Sequence, residues 1–148
     1  MRHGYPLPKL LTNALRATVG LAVARIELLR IKPQGVIDRN RQVVAKIGKI
    51  ARQSPNATET GRHCDDAAFF INRMGGRVPW RSDCLVQALA GQRWLARKGI
   101  ASEIVVGTAK QADGSFESHA WLRHHDRIVL GGDITGYLPL LATRSETE

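Results

Sequence analysis

The stretch from Val78 through Pro79-Trp80-Arg81-Ser82-Asp83-Cys84 to Gly99 constrains the chain more than any other. Pro79 to Asp83 carries turn and cap residues. From Cys84 onward the apolar residues Leu85, Ala88, Leu89 and Leu95 fall on one helical face. Ser82 or Asp83 suits the N-cap, and Gly99 suits the C-cap just after Arg97 and Lys98. Cys84 is therefore expected in the first turn of a helix. Unpaired backbone N–H groups and the positive end of the helix dipole lie there, an environment that suits an anion. A thiol in that position becomes a nucleophile if a histidine reaches it. Without one, a buried packing role is the commoner fate of a cysteine.

The chain beyond Gly99 supplies the histidine. Ala101 to Ala109 is a β-rich run, Lys110 to Ser115 a polar turn, and Phe116 to Arg123 a second strand that carries His119. After His124-His125-Asp126, a third strand runs from Arg127 to Gly131, and Asp133 follows. Strand alternation puts Glu117, His119 and Trp121 on one face of the second strand and Phe116, Ser118, Ala120 and Leu122 on the other. A helix packed on such an antiparallel sheet can bring Cys84 to the His119 ring, with Asp133 placed to hold the second ring nitrogen. Asp126, in the turn after His125, is the rival for that role. This is the arrangement of nucleophile, base and orienter.

Pro79-Trp80 with Cys84-Leu85, Leu95 to Gly99, Val106-Gly107, Phe116, His119-Ala120-Trp121 and Tyr137-Leu138-Pro139-Leu140 together resemble the transglutaminase-like leader peptidases of lasso-peptide biosynthesis. The resemblance covers Arg77 to Leu140. It implies a papain-like core in which Cys84, His119 and Asp133 form a triad that cuts a leader from a ribosomally made precursor peptide. It also implies a separate leader-binding protein and the lasso cyclase as partners, no cofactor, and a cytoplasmic setting. Trp80 and Trp121 become substrate-groove residues on this reading, or core residues. By its length and the position of Cys84, the chain is expected to be the stand-alone form of such a peptidase.

Length and composition fit one α+β domain over residues 1–148. A basic helical part, 1–76, would wrap a catalytic core, 77–142, in which the cysteine helix packs on a small antiparallel sheet. Cys64 and Cys84 are the only cysteines and form neither a disulfide framework nor a zinc pattern, so no metal is expected. The net charge of +9 is confined to one region: residues 1–58 hold 11 Lys and Arg against Glu27 and Asp38, whereas residues 59–148 hold 11 of each sign. That positive field favours acidic partners, and Arg39, Arg41, Lys46 and Lys49 are the expected docking residues.

Three helices are expected ahead of Cys84. Leu10 to Ile31 repeats Leu11, Leu15, Val19, Ala22, Ile26 and Leu29 every three or four residues. Val36 to Arg52 has Val36, Val43, Val44, Ile47 and Ile50 on one face, and Glu59 to Met74 turns Ala67, Phe70, Ile71 and Met74 inward. The apolar middle of the first helix is too short for a membrane span. Ala22-Val23-Ala24 resembles a cleavage site, but the amphipathic period continues past it, against a signal peptide. The basic charge is dispersed along helices with no recognition motif, against a nucleic-acid binder. A peptide-binding scaffold without catalysis and an acyl-transferring transglutaminase remain as alternatives, the second because it uses the same triad.

Overall fold

The computed structural model describes residues 4–31, 35, 38, 42 and 56–141. The expected second helix and, with it, Arg39, Arg41, Lys46 and Lys49 lie outside the described residues.

Helix α1 spans Leu7–Arg30 and follows Pro6, whose carbonyl accepts the Leu10 N–H at 3.0 Å. Proline is at home there because the first N–H groups of a helix have no internal acceptor. The face that α1 buries is not the expected one. Asn13, Ala17, Leu21 and Ala24 point inward, whereas Leu11, Leu15, Val19, Ile26 and Leu29 point to solvent. Small residues set this choice. A methyl group at Gly20 would sit 3.7 Å from Ala90 Cβ, so Gly20 lies against the third helix at close range.

Helix α2 spans Ala57–Gly75, and Asn56 caps it by accepting the Glu59 N–H at 2.8 Å. It buries Cys64, Ala67, Phe70 and Ile71, with the Phe70 ring stacked on Trp94 at 6.2 Å. Helix α3 spans Cys84–Ala96. It stops where Gly99 takes a φ of +69° and Ile100 N–H returns to the Leu95 carbonyl at 3.0 Å. A glycine in the left-handed region is the common way to close a helix.

Four strands follow: β1 Glu103–Lys110, β2 Phe116–His124, β3 Arg127–Leu130 and β4 Leu138–Leu141. They form one antiparallel sheet in the order β3-β2-β1-β4. The fourth strand was not expected, because it is short and contains Pro139; as an edge strand it tolerates proline. Helix α3 lies close on the sheet at Gly91, where a Cβ would come within 2.8 Å of Leu122. Leu21, Phe70, Ile71, Leu95, Leu122 and Leu130 fill the shared core between helices and sheet. The fold is thus α+β, with the cysteine helix central and the sheet on one side of it.

Candidate active site

Cys84 opens α3. Asp83 is the cap: its carboxylate accepts the Val86 N–H at 3.2 Å, and its carbonyl accepts the Gln87 N–H at 3.0 Å. The N–H groups of Cys84 and Leu85 are then the first two of the helix, those without an intrahelical acceptor. The thiol itself is partly exposed. Cys64, by contrast, is buried in α2, and burial pushes its thiol pKa up.

His119 sits in the middle of β2, opposite Gly107 on β1. Its Nε2 lies 2.7 Å from the Gly131 carbonyl oxygen. A carbonyl only accepts, so in the neutral ring Nε2 carries the hydrogen and Nδ1 keeps the lone pair. Gly131 is at φ +119°, and a Cβ there would lie 2.9 Å from Trp121 Cα. Only glycine brings the chain this close over Trp121, and the close approach aims its carbonyl at the histidine.

Tyr137, just ahead of β4, is a neighbour of His119. Its ring is 5.1 Å from the His119 ring. Its phenol pKa is raised, first by burial, then by the charge of Glu117 and a hydrogen bond to it. The Tyr137 ring thus packs on the imidazole while its phenol interacts with the Glu117 carboxylate. Gln111 Nε2 donates to Glu117 Oε2 at 2.6 Å and fixes that carboxylate. Among the described residues no hydrogen bond joins Cys84 directly to His119.

Asp133 bonds within its own turn. Its carboxylate accepts the Thr135 N–H at 2.9 Å, closing the turn after Gly132. Those hydrogen bonds to Thr135 hold its pKa below the usual carboxylate value. Among the described residues no hydrogen bond joins Asp133 to His119; the Gly131 carbonyl occupies the nitrogen the aspartate was expected to hold. Asp126 is exposed in the turn between β2 and β3, beyond the end of β2.

The two tryptophans differ in exposure. Trp121 is only 3% exposed, with its ring packed under Gly107 and 6.3 Å from the His119 ring. It supports the histidine from the sheet. Trp80 is half-buried against the core, and its indole N–H is buried without a protein acceptor among the described residues.

Sequence reasoning missed Tyr137, Glu117 and Gly131 as site residues. Glu117 was visible as a β2 residue on the histidine's face, and Tyr137 within the motif Tyr137-Leu138-Pro139-Leu140. Nothing in the sequence indicated that a backbone carbonyl would hold His119. Among the described residues, no cluster of His, Cys, Asp or Glu is arranged to hold a metal ion, and no helix is long and apolar enough to cross a membrane.

The architecture is α+β, with a cysteine at a helix start and, on a strand of the adjoining antiparallel sheet, a histidine whose tautomer a carbonyl fixes. A family model described as "Transglutaminase-like superfamily" matches residues 16–142, and the chain belongs to that superfamily, which includes cysteine peptidases and acyltransferases. No curated protein and no solved structure is found to match it.

Proposed function

We propose that this protein is a cysteine peptidase that removes the leader from a ribosomally synthesised precursor peptide during lasso-peptide maturation. The observation that carries the reading is the contact of His119 Nε2 with the Gly131 carbonyl, which leaves Nδ1 as the basic nitrogen, in a chain whose partly exposed Cys84 opens a helix. His119 Nδ1 takes the proton from Cys84 Sγ, and the sulfur attacks the scissile carbonyl. The N–H groups at the start of α3 receive the oxyanion. His119 then protonates the departing amine. A water molecule, deprotonated by the same nitrogen, hydrolyses the thioester and frees Cys84. The thiol–imidazole hydrogen bond forms when substrate closes the site, as catalytic contacts often tighten only in the complex. Asp133 enters this scheme by shaping the turn that presents Gly131. Trp121 supports His119 from the sheet, and Trp80 is the partly exposed tryptophan left to meet substrate.

The separate leader-binding protein and the cyclase belong to the same proposal, with Arg39, Arg41, Lys46 and Lys49 as the docking residues for the former. The test is cleavage of a lasso precursor, with and without the leader-binding protein, by wild type and Cys84→Ala. Leader release by wild type and none by a folded Cys84→Ala variant supports the reading. Transfer of the acyl group to added amines in preference to water would replace it with a transglutaminase.

A further inference from the structure

Helix α1 presents apolar side chains on two faces, and the described residues bury only one. Leu7, Leu11, Leu15, Val19, Val23, Ile26 and Leu29 are each between 42% and 70% exposed. At 100° per residue they share an arc of about 160°, and at 1.5 Å per residue they run for about 33 Å. A monomeric protein rarely leaves a continuous aliphatic stripe of this length in water without a use for it.

The charges around the stripe decide its partner. The one acidic residue of α1, Glu27, is turned inward onto Arg93. Among the described residues of α1 the remaining charges around the stripe are cations, with Arg25 at one edge, Arg30 near the other, and Arg16 beyond it over the Trp94 ring. A second copy of the chain would bring these cations against one another, which disfavours self-association. The stripe also lacks Trp, Tyr and Phe, the anchors that mark protein–protein hot spots. It is a row of Leu, Val and Ile on a helix not long and apolar enough to span a bilayer.

We propose that α1 docks this protein on an anionic lipid surface. The helix lies in the interface plane, with the Leu7–Leu29 stripe among the acyl chains and the flanking arginines at the headgroup phosphates. This is independent of the peptidase reading, since α1 contributes no residue to the site.

The experiment is co-sedimentation of the full chain with vesicles of phosphatidylcholine alone or mixed with phosphatidylglycerol, across a salt series. Wild type and Leu11→Glu/Leu15→Glu are compared, with circular dichroism as the fold check. The expected result is binding to the anionic vesicles, weaker at high salt, and a loss of roughly tenfold or more in the double variant. Arg25→Gln/Arg30→Gln should lose anionic binding by a smaller factor and keep its fold. No binding to anionic vesicles overturns the proposal. So does binding that the double variant retains, which would place the contact elsewhere. A stable dimer abolished by the double variant, without vesicle binding, overturns it in favour of a second copy.

Discussion

His119 Nε2 and the Gly131 carbonyl oxygen are 2.7 Å apart, and this contact assigns the proton of the candidate base. The position that an orienting carboxylate would take is filled by main chain. Its acceptor is fixed by a glycine that no other residue can replace without moving Trp121. Histidine orientation in this site is therefore a property of the fold around β3 rather than of one acidic side chain.

Asp133→Asn is expected to be mild. Replacing a directly bonded orienting carboxylate by its amide can cost about 10⁴-fold through the wrong tautomer. Here the amide oxygen of the variant can still accept the Thr135 N–H, so the loss stays below about tenfold. His119→Ala removes proton transfer and should cost about 10²–10⁴-fold. Asp133→Ala, which also breaks the turn, should fall between the two. Steady-state cleavage rates of the three variants check the order. A drop for Asp133→Asn as deep as for His119→Ala would mean that the aspartate binds the ring directly.

The outline of this site was legible because its parts are local. Cap residues before Cys84 and glycine after Lys98 mark a helix, and alternation around His119 marks a strand. Gly131 and Tyr137 were not legible as site residues, since what brings them to His119 is sheet geometry that no local pattern encodes. Helix α1 was misread for a related reason. Its more hydrophobic stripe pointed to Leu11 and Leu15 as core, but close packing against Ala90 selects the face with Gly20, Ala17 and Ala24. The fourth strand was hidden by Pro139, which only an edge position admits.

The two thiols should separate in reactivity. Cys64 is buried and its pKa raised, so little thiolate is available and reagents reach it slowly. Cys84 is partly exposed at the start of α3. Limited iodoacetamide treatment at pH 8, followed by peptide mass mapping, should find carbamidomethyl on Cys84 first. Cys64→Ser should keep activity, and early modification of Cys64 would argue against Cys84 as nucleophile.

Tyr137 divides into a ring and a hydroxyl. The ring packs at 5.1 Å on His119, while the hydroxyl answers to Glu117. Tyr137→Phe keeps the packing and should lower kcat by only a few-fold, and Tyr137→Ala, which frees the imidazole, by about 10²-fold or more, the scale of a misplaced catalytic group. The kcat change should exceed the KM change in both. Equal losses in the two variants would assign the effect to the hydroxyl.

Alkaline pH should loosen the N-terminal end of the fold through Tyr5. Its hydroxyl donates to Asp66 Oδ1 at 2.5 Å, and its ring packs on Phe69 and Phe70. Burial first, then the hydrogen bond and charge of Asp66, push its pKa up from 10.0 to about 12. The folded chain thus holds this proton more tightly than the unfolded one. The stability gained is complete below the unfolded pKa near 10 and is lost as pH rises towards about 12. Tyr5 and Tyr137 are the only tyrosines, and both are raised, so absorbance at the phenolate band should begin to rise later than for a free tyrosine. Tyr5→Phe should remove the last step of that titration and cost about 1 kcal/mol at neutral pH, the scale of one partly exposed hydrogen bond. Denaturant melts of the two proteins at pH 7 and pH 11 should therefore differ most at the lower pH, with the gap reduced to roughly half at the higher, midway between the two pKa values. A gap that persists unchanged at pH 11 would detach the stability of this end from the Tyr5 proton.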